Sequence, residues 1–169
     1  MASSAANVIY QLLLDLGLAD ESGGAWPVHV SFFPDQPNVA LAVYDTAGTE
    51  DGRIMDGPKI EHPGIQVQVR TPIYNDGWQK ARDIADAFDV QLRTTVAAGV
   101  DDEYLVQNIS RQGNIIPLGI DEKDSQRRHY FTINAVVTLA QVVLLKRLLD
   151  GTSFSRILDG TSFDRLIGD

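Results

Sequence analysis

The stretch Ile65-Gln66-Val67-Gln68-Val69-Arg70 decides the fold, because it alternates apolar and polar side chains without interruption. Successive side chains of a β-strand point to opposite faces of the sheet. The aliphatic residues of this stretch therefore face a core, whereas Gln66, Gln68 and Arg70 face water or a polar partner. One face of the sheet is thus predicted to be apolar, and the other is available for contact.

The neighbouring segments extend this strand into a domain. Strand-like patterns occupy residues 28–32, 39–44, 104–109 and 129–137. Apolar residues at three-to-four spacing predict helices at about residues 4–16 and 75–88, and Gly17 is a candidate stop for the first. The order of elements predicts an α+β fold, with a single mixed or antiparallel sheet of about five strands and two helices packed on one face.

Residues 45–64 are predicted as a long loop, because they contain four glycines and two prolines and show no sustained hydrophobic period. About twenty structureless residues are uncommon in a compact domain, and such loops are often functional. We expect this loop to form part of a binding surface. The polar side of the 65–70 strand extends that surface. The residues assigned to it are Asp45, Gly48, Arg53, His62, Gln66, Gln68 and Arg70.

Composition excludes several classes of protein. The chain has 169 residues, 44% of them hydrophobic and 22% charged, which suits one globular domain. It contains no cysteine, which excludes disulfides, cysteine-ligated zinc, iron–sulfur clusters and thiol nucleophiles. Its formal net charge of -9 disfavours binding to nucleic acid or to an anionic membrane, since both require clustered positive charge.

No targeting or membrane segment is evident in the sequence. The first residues lack a basic region followed by an apolar one, so no secretory signal is predicted. The most apolar stretch, residues 133–145, is interrupted by polar side chains and is shorter than the roughly 20 residues that a membrane span needs. We expect synthesis in the cytoplasm and no contact with a membrane.

The last 21 residues contain an internal repeat. Residues 149–157 recur at once as residues 158–166, with seven of nine positions identical. We divide the chain into a domain at residues 1–148 and a C-terminal arm at residues 149–169. A tolerated duplication at a chain terminus is one interpretation. In the other, the arm contacts a neighbouring subunit, because its large apolar side chains are costly to leave in water. These side chains are Phe154, Ile157, Phe163 and Leu166.

No catalytic, cofactor or metal site is predicted. The segment Asp45-Thr46-Ala47-Gly48 resembles the D-x-x-G segment of small GTPases, but the chain contains no Gly-Lys pair and so lacks a phosphate-binding loop. His29, His62 and His129 show no metal-ligand spacing, and no G-x-S-x-G nucleophile motif is present. The sequence therefore predicts surfaces for other protein chains and no enzyme.

Four segments in a fixed order carry a family resemblance. They are residues 32–37 (Phe-Phe-Pro-Asp-Gln-Pro), residues 39–48, which end in Tyr-Asp-Thr-Ala-Gly, residues 62–70, and residues 74–81 (Tyr-Asn-Asp-Gly-Trp-Gln-Lys-Ala). Over about Val8 to Leu139 the chain resembles the tail-terminator proteins of long-tailed bacteriophages, also called neck or minor capsid proteins. The C-terminal repeat lies outside this resemblance.

The resemblance implies a structural virion assembly protein without cofactors. Such proteins form rings, usually of six subunits, that cap the tail tube and join it to the head connector or stopper protein. DNA only passes through the ring lumen. The expected partners are therefore further copies of the chain, the major tail tube protein and the head-tail connector. The expected location is the tail or neck of the virion, after assembly in the host cytoplasm. The predicted loop at residues 45–64 is expected to order against the tube or a neighbour.

Three alternatives stay open at this point. Another neck component, such as a head-closure or stopper protein, shares the location and differs in the ring that it contacts. A small soluble enzyme using His62 or His129 with nearby acids is a different class. An adaptor protein with no role in the virion is the third.

Overall fold

The computed structural model describes residues 3–50, 60–90, 92–98, 103–120 and 126–141. They form seven strands and two helices. In chain order these are α1 (Ala5–Asp15), β1 (Val28–Val30), β2 (Ala40–Glu50), β3 (Ile60–Thr71), α2 (Tyr74–Val90), β4 (Leu92–Ala97), β5 (Glu103–Arg111), β6 (Ile116–Ile120) and β7 (His129–Gln141).

All seven strands belong to one mixed sheet in the order β1-β2-β3-β7-β5-β4, with β6 paired to the first part of β7. Only the β1–β2 pair is parallel among the described pairs. The predicted α+β class is confirmed, but the prediction of about five strands was wrong. It missed β4, whose Arg93-Thr94-Thr95 centre lacks apolar alternation, and it left β6 open between a turn and a short strand.

Both helices pack into one core with side chains from a single face of the sheet. Register explains how the core forms: Val67 lies opposite Val43 on β2 and opposite Ile133 on β7, so three neighbouring strands present aliphatic side chains at the same level. All three residues are at most 2% exposed. The alternation at residues 65–70 thus identified the core face correctly.

Local signals in the sequence account for both helices. Ser4 caps α1 and its hydroxyl accepts a hydrogen bond from the backbone nitrogen of Asn7 at 3.3 Å. Gly17 ends the helix with a φ of +66°, a conformation that glycine adopts at low cost. In α2, Gly77 allows close packing on the sheet, because a Cβ built there would lie 2.5 Å from a ring carbon of Phe131.

The prediction of a structureless loop at residues 45–64 was wrong for its described parts. β2 continues to Glu50 and β3 begins at Ile60, so the two strands form a long antiparallel hairpin. Its glycines serve a β-bulge between Thr46 and Thr49: a Cβ on Gly48 would lie 2.4 Å from the carbonyl oxygen of His62. Glycines that the sequence suggested as loop residues are thus required by strand pairing.

Several predictions fall on residues outside the described ranges. Residues 51–59 include Arg53, and residues 142–169 include both nine-residue repeats. Across the described ranges, neither helix has the length and apolar character that crossing a membrane demands.

Candidate protein–protein interaction surfaces

Amide side chains form a connected row on the sheet face opposite the helices. Gln68 Nε2 donates a hydrogen bond to Gln66 Oε1 at 2.8 Å, and Gln66 Nε2 donates to Asn134 Oδ1 at 2.9 Å. Gln66 and Asn134 lie opposite each other on β3 and β7, which explains why their side chains meet. All three side chains are half-buried and keep hydrogen-bonding capacity for a partner. We call Gln66, Gln68 and Asn134 the amide row.

His62 extends this polar face toward the β2–β3 hairpin. It lies on the same side of β3 as Gln66, and its Nδ1 is 3.0 Å from the hydroxyl oxygen of Thr138 on β7. Gly48 lies across the hairpin, where β2 bulges past His62. The structure therefore brings Gln66, Gln68 and His62 of the predicted surface together on one face.

Arg70 lies on the same face but is buried, with 2% of its surface exposed. Its guanidinium donates to the carbonyl oxygens of Pro34 at 2.7 Å and Pro37 at 2.6 Å, and lies 4.7 Å from the ring centre of Phe33. These contacts bind residues 31–39 across one end of the polar face. In this conformation Arg70 acts inside the molecule, by holding a segment that itself reaches the surface.

That segment carries the exposed ring of Phe32. Near it, the pKa values of two titratable side chains, His29 and Tyr44, are shifted. Phe32 is 55% exposed and its ring centre lies 5.3 Å from that of His29. Burial, and to a smaller extent the charge of Arg70, lower the pKa of His29. Burial also raises the pKa of Tyr44, which shares this face. Both groups are therefore held in their neutral forms.

Asp45 lies on the opposite face and serves α1. Its Oδ1 accepts a hydrogen bond from the backbone nitrogen of Ala6 at 2.8 Å, at the first turn of the helix. A carboxylate there satisfies an otherwise unpaired N–H and interacts favourably with the helix dipole. The D-x-x-G resemblance at this position thus has a purely local explanation: Asp45 caps a helix, and Gly48 permits a bulge.

Sequence reasoning missed an exposed apolar surface at the start of α2 and along β6. Nine large hydrophobic side chains are exposed in the described part of the chain, and six of them lie here. We call these six residues the apolar patch: Ile73 (55% exposed), Tyr74 (45%), Trp78 (37%), Ile116 (46%), Leu118 (55%) and Ile120 (43%).

Contacts around β7 connect the two halves of the patch. The Tyr74 ring centre lies 5.4 Å from that of His129 and 5.1 Å from that of Phe131, and Ile120 pairs directly with His129. The pattern Ile116-Pro-Leu-Gly-Ile120 carried the available signal, because proline and glycine in a short strand indicate a sheet edge. The exposure of Trp78 had no such signal, since helical spacing places it on the apolar stripe of the second helix.

A groove continues from the patch between α2 and the turn before β6. Trp78 and Ile115 contribute apolar walls, and Asp86 and Arg82 contribute charge. Its far end is closed by Arg111, which donates two hydrogen bonds to Asp89, one of them at 2.7 Å. These bonds lower the pKa of Asp89 and raise that of Arg111.

The described histidines do not converge. Thr71 pairs with His129, and His62 lies nine residues back along the same strand, so the two imidazoles are about 30 Å apart. His129 contacts the Tyr74 ring, and His29 belongs to β1. Among the residues that the structure describes, no group of three His, Asp or Glu side chains is placed to hold a metal ion.

Comparison with known proteins identifies the chain. A family model described as "Bacteriophage tail terminator protein" matches residues 13–141. The chain is therefore a structural protein of the phage tail. Within that class it belongs to the bacteriophage tail terminator family, which confirms the resemblance found in the sequence.

Among solved structures, a chain of one titled "Virion of native gene transfer agent (GTA) particle" is similar to this chain. The two are 16% identical, the match covers 82% of this chain and 99% of that chain, and the TM-score is 0.39. No curated protein sequence matches the chain.

Proposed function

We propose that the chain forms a homohexameric ring that caps the tail tube and joins the tail to the head connector or stopper protein. In this proposal the ring occupies the neck of the virion, DNA passes through its lumen, and no bond is made or broken. The observation that carries the proposal is the match to the tail terminator family, because it covers the whole described sheet and both helices apart from the first turns of α1.

The arrangement of surfaces supports assembly. A closed ring requires two different, complementary surfaces on each subunit, and a capping ring requires a third for the tube. The amide row and the apolar patch are chemically distinct: the amide row lies on the face opposite the helices, and Tyr74 and Trp78 of the patch pack against Phe131 on the helix face. One chain therefore carries more than one candidate contact surface without further domains.

The charge of the chain agrees with passage of DNA without binding. Its formal net charge is -9, and 23 acidic residues outnumber 14 basic ones. Proteins that grip DNA neutralise phosphates with clustered lysine and arginine. A lumen formed by copies of this chain is expected to let the polyanion slide.

We assign the amide row to contact with the tube. Its amides offer donors and acceptors in an adaptable form, and none of the three side chains belongs to the core. In the same proposal the β2–β3 hairpin, with Gly48 and His62, contacts the tube or a neighbouring subunit. Hydrogen exchange tests the hairpin: we expect Thr46–Thr49 to gain protection in the ring, and equal protection in monomer and ring would contradict the assignment.

The experiment that tests the ring is negative-stain electron microscopy of the purified full chain, combined with its mass in solution. Rings with six-fold symmetry are expected. A monomer that persists at high concentration, and in the presence of tail tubes, would overturn the proposal.

Substitution tests the tube contact separately. The double variant Gln66→Glu/Gln68→Glu places two like charges in the amide row, and is expected to form rings that no longer bind tubes. Gln79→Glu is the control, because Gln79 is an exposed glutamine on α2, on the other side of the sheet from the amide row. Tube binding that is equal in both variants would remove the amide row from the proposal.

A further inference from the structure

We infer that the apolar patch is the docking site for the C-terminal repeat, residues 149–169, of a neighbouring copy of the chain. The inference rests on the self-association in the proposed function and names the surfaces that one subunit-to-subunit contact uses.

The patch needs a partner on physical grounds. Six large hydrophobic side chains are concentrated on the first turns of α2 and on β6, whereas the other three exposed ones, Leu16, Phe32 and Val90, are scattered over the described surface. Scattered apolar residues are normal on a soluble protein, but a local concentration of them marks a binding site. Ile120 and Tyr74 both adjoin His129, whereas Ile116 pairs with Thr132 and lies on the other face of this sheet edge. The outer side of β6 also carries no strand among the described pairs, so its backbone can accept an extended segment.

The repeat has the chemistry that this surface takes. Each copy places a phenylalanine three residues before an isoleucine or leucine, with an arginine directly before the aliphatic residue: Phe154 with Arg156 and Ile157, then Phe163 with Arg165 and Leu166. The groove beside the patch offers the complement. Trp78 and Ile115 form its apolar walls, and the Asp86 carboxylate is 68% exposed, lies 3.8 Å from Arg82 and interacts electrostatically with Arg111, which also lines the groove. Apolar side chains can enter between the walls while the arginine reaches the acid.

Reach limits how the first repeat can dock on its own chain. The described part of β7 begins beside the patch and ends at Gln141, ten residues beyond Phe131, which places Gln141 about 34 Å from the patch. Phe154 lies 13 residues after Gln141, which allows at most about 45 Å, so it could reach its own patch only along a nearly straight path. Phe163 lies 22 residues after Gln141, which allows about 75 Å and sets no such limit on the second repeat. A subunit packed alongside can therefore accept either repeat, whereas the chain's own patch is within easy reach of the second alone.

Trp78 is a built-in reporter of docking. The chain has two tryptophans, and Trp26 stacks beneath Lys80 away from the patch, so Trp26→Phe leaves Trp78 as the only emitter. The reporter protein is the full chain W26F/F154A/F163A, whose own repeat is disabled. The donor is the full chain W26F/W78F, which has an intact repeat and no tryptophan. When reporter and donor are mixed, any change in Trp78 fluorescence reports docking of the donor's repeat on the reporter's patch.

We expect the donor to shift Trp78 emission to the blue and to reduce its quenching by acrylamide in a saturable manner. A synthetic peptide of residues 149–169 is expected to act in the same way, and alanine at both phenylalanines is expected to raise its Kd at least about tenfold. Two further reporter variants control for the surface. Ile120→Asp is expected to abolish the response, whereas Val90→Asp, at an exposed apolar residue outside the patch, is expected to preserve it.

Three results would overturn the inference. The first is a donor that has no effect, or the same effect as one lacking both phenylalanines. The second is a Trp78 protected at all concentrations in W26F with its repeat intact, which would assign docking to the chain's own repeat. The third is protection by purified tail tubes and not by the donor, which would make the patch a tube contact. Ring formation by the F154A/F163A chain is scored separately by electron microscopy, so rings without repeat docking would leave the proposed function standing.

Discussion

The two faces of the sheet differ in what their side chains do. On the helix face, alternate residues of β3 and β7 are fully buried and pack against α1 and α2. On the other face, several intervening positions carry half-buried polar side chains that hydrogen-bond within the face: Gln66 bonds to Gln68 and Asn134, and His62 to Thr138. The same two strands thus supply folding energy with one set of positions and a contact surface with the other. We therefore expect substitutions on the helix face to lower the free energy of unfolding, and substitutions on the other face to impair assembly. The variants below test how far this division holds.

The largest effect is expected on the helix face, for Phe131→Ala. Phe131 is fully buried and contacts the rings of Tyr74 and Trp78, so its removal leaves a cavity under α2. We expect a loss of about 3–5 kcal/mol in the free energy of unfolding, measured by urea denaturation.

Thr132→Val is the matched control on the adjacent position of the same strand. Thr132 is 3% exposed on the other face, and its hydroxyl oxygen has no hydrogen-bond partner among the residues that the structure describes. Replacing it by an apolar isostere is expected to change stability by less than about 1 kcal/mol, with either sign. A large loss from this variant would show that the second face also holds the fold together.

Arg70 is the expected exception on the polar face. Arg70→Met removes the donors that hold the Pro34 and Pro37 carbonyls, and is expected to cost about 3 kcal/mol and to release residues 31–39 to hydrogen exchange. Arg128→Met provides the comparison, because Arg128 donates to the carbonyl of Asp35 in the same segment but is only half-buried. Equal losses from the two variants would show that burial of Arg70 is unimportant.

Asp45 is expected to have a smaller effect, as a cap on the helix face. Asp45→Ala removes the acceptor for the Ala6 N–H and should cost about 1 kcal/mol in the free energy of unfolding. Asp45→Asn keeps an acceptor and loses the charge, so it should cost about half as much. If both variants unfold like the parent while rings fail to form, Asp45 contributes to the interface and not to the helix.

The smallest effect is expected at the Asp89–Arg111 pair, where the end of α2 meets β5. Hydrogen bonds from Arg111 hold the pKa of Asp89 below its ordinary value of 3.8 in the folded protein. A depressed carboxyl pKa contributes stability above the unfolded pKa, and this contribution is lost as the pH falls through the folded value.

Because both side chains are partly exposed, solvent screening should keep the contribution of this pair below about 1 kcal/mol. Asp89→Asn is expected to lower stability slightly at neutral pH and to flatten its decline in acid, measured by denaturation at a series of pH values. A pH profile identical to that of the parent would exclude the pair from acid unfolding.

Much of the fold followed from local patterns. The alternation at residues 65–70 and at residues 129–137 predicted two central strands, and Ser4 and Gly17 bounded α1 as expected. β4 was missed because Thr94 and Thr95 show no apolar period. The β2–β3 hairpin was missed because glycines that a β-bulge requires cannot be told, in the sequence, from glycines of a loop.

The interaction surfaces were harder to predict from the sequence than the fold was. Gln66 and Gln68 were assigned correctly to a polar face, but the roles of Arg70 and Asp45 depend on residues more than thirty positions away, Pro34 and Ala6. The apolar patch depends on which side chains the rest of the chain leaves uncovered. The spacing of apolar residues does not show which of them remain exposed, because a helix has the same apolar spacing whether its apolar face is fully covered or extends past the edge of the sheet.

The bulge between Thr46 and Thr49 also determines the direction in which the ends of β2 and β3 point. An extra residue in one strand increases the local twist and bends the two-stranded ribbon, so the ends at Glu50 and Ile60 are turned relative to the strands behind them. Gly48 and Gly64 make that bend possible, since a Cβ on either would strike the opposing backbone. The direction in which Glu50 and Ile60 point is therefore encoded several residues earlier, and changes at Gly48 or Gly64 would redirect these strand ends without altering their own sequence.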